Sequence, residues 1–263
     1  MNEVTQPIPA AITLDGVCVR YRDQEIVGGI GFEIPRRCVT SIVGPSGVGK
    51  STILRTLNRL LEEEEGFTRE GRILFNGTDI SAPHVDKTIL RRKIGIIFQK
   101  PVVFPISIFK NVIFGVHYLK LSHKRNYHAI VEEFLMKVSL WDEVKDRLHR
   151  SALELSVGQQ QRLTIARTLA LDPEVILMDE PTSSLDVLST EKIEELISKL
   201  KAEHTVVLVT HHLEQAFLLS DKIVCLLPEA GKGCVFFQGT PAELEALGKR
   251  TTLPRFFRLA FPQ

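Results

Sequence analysis

The sequence lacks an excess of charge of either sign and lacks long apolar runs. Lysine and arginine together number 33, and aspartate and glutamate 32, in a chain of 263 residues. No overall electrostatic field therefore draws the protein toward nucleic acid or anionic lipid. No run approaches the roughly 18 apolar residues that span a bilayer, and residues 1–16 lack the basic and apolar regions of a signal peptide. We expect any membrane role to depend on a partner.

Cysteine is also scarce. The four cysteines, Cys18, Cys38, Cys225 and Cys234, contain no CxxC pair, and three lie in or beside apolar strand-like runs, where cysteine acts as a small hydrophobe. We expect reduced thiols and a cytosolic compartment. With 44% hydrophobic and 25% charged residues, the composition is typical of a soluble globular protein, either one domain with an insert or two small domains.

Short runs rich in β-branched residues alternate with helical patterns. The runs occupy residues 39–43, 94–98, 175–178, 206–210 and 223–227. Their apolar character predicts strands buried on both faces of a parallel sheet. Apolar stripes at helical spacing occur within 53–61 and 193–200, so the alternation predicts an α/β fold.

Three ranges depart from this alternation. Residues 12–34 and 72–80 are typical of short strands with turns and predict an antiparallel layer, whereas residues 105–170 are mostly helical in pattern. The sequence therefore predicts an α/β core with an antiparallel β layer and an inserted helical subdomain.

A glycine-rich segment lies between the first predicted buried strand and a predicted helix, the context of a phosphate-binding loop. Its glycines allow backbone N–H groups to close around phosphates, and the helix N-terminus adds unpaired donors. Lys50 is expected to reach the β and γ phosphates of ATP, and the Ser51 hydroxyl to bind Mg²⁺. We predict nucleotide contacts at Gly44, Pro45, Ser46, Gly47, Gly49, Lys50, Ser51 and Thr52.

The predicted strand at 175–178 ends in two adjacent carboxylates, Asp179 and Glu180. Alone, this is also an ordinary exit from a strand into a turn. Two carboxylates at the end of a buried strand are costly unless charge is needed there. Together with the phosphate-binding loop, they predict that Asp179 holds Mg²⁺ through its water shell and that Glu180 polarises the attacking water.

Residues 155–159, Leu-Ser-Val-Gly-Gln, precede an amphipathic helix predicted over 160–171. Taken alone, the segment is a serine N-cap. The phosphate-binding loop, this segment and the strand that ends in Asp179 and Glu180, in that order, resemble the ATPases of ABC transporters. The resemblance implies a P-loop NTPase (RecA-like) core that binds and hydrolyses ATP with Mg²⁺.

The resemblance covers about residues 12–225 and implies roles for further positions. Tyr21 stands where the family has an aromatic that stacks on adenine, and Gln99 is similar to the glutamine of the Q-loop, near the metal and the attacking water. Residues 184–186, ending in Asp186, match the D-loop, and His211 matches the switch histidine. Each also has an ordinary interpretation, as a strand aromatic, a polar residue at a strand exit or a helix cap.

The resemblance also implies a head-to-tail homodimer with two ATP molecules. Each would lie between the phosphate-binding loop of one copy and Ser156, Gly158 and Gln159 of the other, and loss of the γ phosphate would let the halves part. One residue departs from the family pattern Leu-Ser-Gly-Gly-Gln. Val157 replaces the first glycine and adds a β-branched side chain where backbone approaches phosphate, so we predict slower turnover.

Longer stretches more specifically resemble the ATPases of bacterial and archaeal phosphate importers, namely residues 90–101, 140–148 and 158–162 with Asn58 and Arg59, whereas residues 228–263 do not. The implied function is phosphate uptake, and uptake of another oxyanion or small polar solute is the alternative. The implied partners are two transmembrane permease subunits and, indirectly, an external solute-binding protein. The implied location is peripheral, at the cytoplasmic face of the inner membrane.

Two other segments each have more than one interpretation. Residues 141–148 alone predict an amphipathic helix with Trp141 and Val144 packed and the charges solvated. The phenylalanines Phe104, Phe109 and Phe114 either face permease subunits or belong to the core.

A slowly hydrolysing, ATP-gated regulatory module is the alternative class of function. A DNA-repair or translation ATPase is disfavoured, and no nucleic-acid partner is expected, because the chain has no coiled-coil insert, tandem cassette or basic surface. We predict one ABC ATPase domain. Its nucleotide-binding core occupies residues 12–104 and 171–240, its helical subdomain residues 105–170 and its C-terminal tail residues 241–263.

Overall fold

The computed structural model describes residues 9–121 and 126–250. The strands in these ranges are β1 (Ala10–Tyr21), β2 (Gln24–Pro35), β3 (Val39–Val43), β4 (Phe67–Phe75), β5 (Thr78–Asp79), β6 (Ile94–Ile97), β7 (Val175–Asp179), β8 (Thr205–Thr210), β9 (Lys222–Glu229) and β10 (Lys232–Gly239). The helices are α1 (Lys50–Leu57), α2 (Lys87–Lys93), α3 (Ile108–Tyr118), α4 (Tyr127–Lys137), α5 (Trp141–Val144), α6 (Val157–Leu169), α7 (Val187–Leu200), α8 (Leu213–Leu219) and α9 (Pro241–Arg250).

The strands form one sheet in the order β5-β4-β1-β2-β10-β9-β3-β8-β7-β6. The stretch from β9 to β6 is parallel and contains all five runs that the sequence predicts as buried strands. Every residue of β3 and β8 is buried, because helices cover both faces of this part of the sheet. The α/β prediction is confirmed.

The predicted antiparallel layer is formed by β5, β4, β1 and β2. Its strand β4 begins at Phe67, five residues before the predicted start. The layer joins the parallel part through β10, which pairs antiparallel with β9 and briefly parallel with β2, where Gly233 lies opposite Val27. This joining strand lies in the C-terminal segment that departs from the phosphate-importer pattern.

The region 105–170 contains α3, α4, α5 and α6, as predicted for the helical subdomain. Its buried side chains, such as Val112, Leu135 and Leu163, are continuous with the core under the parallel strands. The predicted start of the signature helix at residue 160 is wrong. Helix α6 begins at Val157, because the Ser156 hydroxyl accepts the backbone N–H of Gln159 and closes the first turn three residues earlier.

The aromatic residues of this region divide between core and surface. Phe109 packs against the buried core, whereas Phe114 is 48% exposed and lies against Phe104, with 4.6 Å between ring centroids. The guanidinium of Arg167 lies 4.3 Å from the Phe104 ring centroid. Of the two interpretations left open, the core therefore holds for Phe109, and Phe114 contributes to an exposed apolar surface.

Over residues 9–121 and 126–250, none of the helices combines the length and the hydropathy that crossing a bilayer requires. The four cysteines are free thiols, and Cys38 and Cys225 are buried. Residues 251–263, the end of the predicted tail, lie outside the described residues.

Candidate functional site

The predicted phosphate-binding loop connects β3 to α1 and is held tightly against neighbouring strands. Gly49, the residue before α1, has φ +96°, and a Cβ there would lie 2.6 Å from Cγ2 of Val27 in β2. A Cβ at Gly44 would lie 2.5 Å from the carbonyl oxygen of Leu226 in β9. Only glycine fits such positions, so the loop backbone lies close to the sheet and forms a cradle of the kind that phosphate groups occupy.

Lys50 is buried at the start of α1. Its Nζ donates hydrogen bonds to the carbonyl oxygens of Gly44 at 2.8 Å and Pro45 at 3.0 Å, which places the ammonium inside the loop. Burial lowers the pKa of Lys50, while the carboxylates of Glu180 and Asp179 act in the opposite direction. The ammonium therefore lies inside the loop, where the two carboxylates that end β7 and follow it still act on its charge.

Ser51 and Asp179 meet across the site, and the Ser51 hydroxyl donates to Oδ1 of Asp179 at 2.8 Å. Burial raises the pKa of Asp179, and the hydrogen bond from Ser51 acts to lower it. Hydroxyl and carboxylate oxygens are the hard donors that Mg²⁺ prefers, and Mg²⁺ usually takes only one or two protein ligands beside water and phosphate oxygens. The two side chains fit such an ion.

Glu180 follows β7 directly and has a positive φ of 44°. Its backbone N–H donates to the carbonyl of Val209 in β8, which turns the carboxylate toward the ends of the neighbouring strands. Oε1 lies 3.0 Å from Nδ1 of His211 after β8, and Oε2 accepts from Nε2 of Gln99 after β6 at 3.3 Å. The structure thus brings Glu180, His211 and Gln99 together, as expected for residues that follow adjacent parallel strands.

Gln99 has a second partner, because its Nε2 also donates to Oγ of Ser183 at 3.1 Å.

Tyr21, at the end of β1, lies against Phe67 with 4.8 Å between ring centroids, and the Arg22 guanidinium is 5.2 Å from its ring. Tyr21 remains 37% exposed as a residue, so these contacts do not bury it.

The residues at the start of α6 and α7 form a separate cluster. Ser156 and Gln159 form a reciprocal capping box, and Asp186 caps α7 by accepting from the backbone N–H and the hydroxyl of Ser189. Gly158 touches this second cap, since a Cβ at Gly158 would lie 2.5 Å from Oγ of Ser189. In the described ranges, no hydrogen bond joins Ser156, Gly158 or Gln159 to the phosphate-binding loop.

Sequence reasoning missed a glutamine that links the strand exits. Gln161 is 1% exposed, and its Nε2 donates to the carbonyl oxygens of Phe98 and Pro181, which are neighbours in sequence of Gln99 and Glu180. It precedes Ile165 by one helical turn and shares its buried face. A buried polar residue on such a face was the available signal, because buried amides require hydrogen-bond partners.

The whole sequence was also compared with known proteins. Residues 27–183, more than half of the chain, match the profile of a family described as ABC transporter. The phosphate import ATP-binding protein PstB of Salinibacter ruber is 50% identical over 206 residues, which cover 78% of this chain and 82% of that protein. PstB 2 of Listeria monocytogenes serotype 4b is 47% identical over 214 residues, which cover 81% and 79%.

Solved structures of transporter proteins share the fold. The protein cbiO1 from Clostridium perfringens, part of the ABC transporter complex cbiONQ, superposes with a TM-score of 0.75 at 28% identity and 96% coverage of both chains. A bacterial Atm1-family ABC exporter with ATP bound gives a TM-score of 0.78 at 29% identity, covering 100% of this chain and 44% of the exporter chain. The chain therefore belongs to the ATP-binding proteins of ABC transporters, in the group that contains the PstB proteins.

Proposed function

We propose that this protein is the ATP-hydrolysing subunit of an importer of inorganic phosphate. The hydrolytic part of the proposal rests on the contacts of Glu180 with His211 and Gln99. The residue before Glu180, Asp179, accepts a hydrogen bond from Ser51. The choice of phosphate is supported by the PstB relatives, which match more than three quarters of the chain.

Nucleotide binding is assigned to the loop between β3 and α1. The N–H groups of the loop and of the first turn of α1, including Ser51 and Thr52, would surround the β and γ phosphates. Lys50 would exchange its carbonyl partners, Gly44 and Pro45, for phosphate oxygens, which bear more negative charge. Tyr21 would stack on adenine.

Mg²⁺ would be held by Ser51 and Asp179, with Gln99 as an additional oxygen ligand. When bound, it supplies positive charge that neutralises the β and γ phosphate oxygens. The other charges at the site come from this chain, and Asp179 is the carboxylate already paired with the Ser51 hydroxyl.

Glu180 would accept a proton from the attacking water. Its Oε1 is held by His211 at 3.0 Å, whereas the contact of Oε2 with Gln99 is longer, at 3.3 Å. Oε2 is therefore the oxygen that a water molecule can take over at lower cost. His211 would then keep the carboxylate in its orientation, and Gln99 would leave it to contact the metal or the water.

The functional assembly in this proposal is a head-to-tail homodimer. Ser156, Gly158 and Gln159 of one copy would complete the ATP site of the other, with Asp186 beside them. Two transmembrane permease subunits would dock on the helical subdomain, an external solute-binding protein would deliver the solute, and the assembly would place this subunit at the cytoplasmic face of the inner membrane. No nucleic-acid partner is proposed.

The proposed division of the domain follows the same roles. The nucleotide-binding core comprises residues 12–104 and 171–240, the helical subdomain residues 105–170, and the tail residues 241–263.

The test is uptake of labelled phosphate at micromolar concentration in source cells that carry Glu180→Gln at the native locus, with sulfate and molybdate uptake as controls. Selective loss of phosphate uptake supports both the coupled ATPase and its solute. Intact phosphate uptake with loss of another anion would instead support an importer of that anion. Purified wild-type protein that hydrolyses ATP no faster than Glu180→Gln would support a regulatory, ATP-gated module.

A further inference from the structure

Glu143, in the short helix α5, is a junction between three helices. Its carboxylate accepts a bidentate pair from Arg162 of α6, with Nη1–Oε1 at 2.9 Å and Nη2–Oε2 at 3.0 Å. Oε2 also accepts from Nε2 of Gln159 at 2.9 Å, and Oε1 from Nζ of Lys192 in α7 at 3.1 Å. Its charge is therefore not simply solvated, in contrast to the amphipathic-helix interpretation of residues 141–148.

The contact with Gln159 fixes the orientation of that amide. Oε1 of Gln159 accepts the backbone N–H of Ser156 at 3.0 Å, while its Nε2 donates to Glu143. If the amide turned over, an NH₂ group would face the Ser156 N–H and a carbonyl oxygen would face a carboxylate, and neither pair bonds. Glu143 thus supports the capping box that begins α6.

The contact with Lys192 extends this arrangement to α7. That helix starts at its N-cap, Asp186, and its first turn already touches α6 through Gly158 and Ser189. Lys192 adds a second connection about one turn further along. The starts of α6 and α7 are therefore held to each other from two sides, one by close packing and one by charge.

The surface around these two helix starts is exposed and partly apolar. Val157 is 49%, Val187 73% and Leu188 71% exposed, and all three lie within two residues of Ser156 or Asp186. In the proposed dimer both helix starts face the other copy. A displacement of one relative to the other would therefore disturb the contacts that both make with that copy.

We propose that Glu143 is a positioning residue that holds the starts of α6 and α7 in one arrangement, so that a second copy of this chain meets them as one surface. The inference rests on the proposed function, because it assigns the partner of that surface to the ATP-bound dimer. Although burial acts to raise it, hydrogen bonds from Arg162, Gln159 and Lys192 lower the pKa of Glu143 to about 2, so the carboxylate stays ionised at neutral pH.

Glutamine is an informative replacement for Glu143. All four contacts of the carboxylate are with donors, and an NH₂ group cannot accept a hydrogen bond. If the NH₂ of glutamine takes the Oε1 position, the contacts with Lys192 and with Nη1 of Arg162 are lost. If it takes the Oε2 position, the contacts with Gln159 and with Nη2 of Arg162 are lost. Lys192→Met removes only the contact between Glu143 and α7. The Lys192 side chain is partly exposed, and the buried Arg162 keeps its ion pair with Glu143. Asp142→Asn is the matched control, because Asp142 is the neighbouring carboxylate on α5 and pairs with Lys145 instead.

The experiment uses the full chain with Glu180→Gln, so that ATP is retained. Binding of a fluorescent ATP analogue to the monomer and Mg·ATP-dependent dimerisation by analytical ultracentrifugation are measured for the parent and for the three variants. We expect Glu143→Gln and Lys192→Met to need about tenfold more protein for half-dimerisation, with the monomer's affinity for ATP unchanged. Asp142→Asn should match the parent.

The outcomes separate the inference from the proposed function. If the parent binds ATP and dimerises but Glu143→Gln and Lys192→Met dimerise like Asp142→Asn, the positioning role is wrong. If the parent neither binds ATP nor dimerises, the proposed function fails and the inference fails with it. Should Glu143→Gln not fold, because buried Arg162 loses its partner, Lys192→Met decides alone.

Discussion

His211 and Glu180 directly follow two adjacent parallel strands, β8 and β7, and Nδ1 of the histidine is 3.0 Å from Oε1 of the glutamate. The contact crosses from the end of β8 to the end of β7, where Val209 is paired with Asp179. The carboxylate is therefore oriented by a side chain from another strand as well as by its own backbone. Substitution of either side chain tests this contact directly.

Glu180→Gln and His211→Ala should both reduce hydrolysis, for different reasons. The first removes the proposed proton acceptor, and the loss is expected to be about 10²- to 10⁴-fold. The second leaves the carboxylate in place but removes its closer partner, so that only the longer contact with Gln99 orients it, and the loss should be smaller. Steady-state ATP hydrolysis and binding of a fluorescent ATP analogue would be compared, with His84→Ala, an exposed histidine in another part of the chain, as the control. Loss of ATP binding in either variant would assign these side chains to nucleotide affinity instead.

Val157→Gly should increase turnover. Val157 is the first residue of α6 and is 49% exposed, so its side chain contributes little to the core. In the proposed dimer this side chain would face the ATP bound by the other copy. Replacing it with glycine should cost only a few tenths of a kcal/mol of helix stability. The check is kcat for ATP hydrolysis together with a thermal melt. Unchanged or lower activity in a folded variant would contradict the prediction.

Gly233→Ala should weaken ATP binding, because Gly233 lies against the loop between β3 and α1. A Cβ at Gly233 in β10 would lie 2.0 Å from the carbonyl oxygen of Val48, so the loop must shift or the hairpin must open. Overpacking of this kind typically costs about 1–3 kcal/mol of folding free energy. Gly31→Ala in β2 is the control, because its Cβ would make an ordinary 3.8 Å contact with the Leu14 carbonyl. Equal ATP affinity in the two variants would mean that β10 does not position the loop.

The contribution of Glu143 to stability should depend on pH. Its pKa falls from the ordinary 4.5 to about 2 in the folded protein, so folding favours the ionised form. The stabilisation is fully present above the unfolded-state pKa and is lost as the pH falls from 4.5 toward 2. The free energies of unfolding of the wild type and Glu143→Gln should therefore converge as the pH is lowered through this range. A difference that stays constant from pH 7 to pH 3 would show that the ionised carboxylate contributes nothing.

Local patterns predicted the parallel strands and the phosphate-binding loop because each depends on neighbours in sequence. The apolar run at 39–43 and the glycines after it need no distant partner to be recognised. The start of α6 was also visible locally, since Ser156 and Gln159 have the spacing of a capping box, yet the predicted helix began three residues late. Strand β10 was not recognised. Its pairing with β9 is local, across the turn at Ala230 and Gly231, whereas its pairing with β2 joins residues far apart in sequence and is visible only in the tertiary structure.

By itself, the sequence determined the fold class, the glycine-rich loop between β3 and α1, and the two adjacent carboxylates where β7 ends, because short-range spacing and burial fix these features. Only the tertiary structure decided how Gln99 and His211 reach Glu180, since these residues come from three strands that the sheet places side by side. It also decided the role of Glu143, whose partners lie 16, 19 and 49 residues away in sequence. A charge in a helical pattern does not reveal its partner, because the partner is chosen by packing between helices.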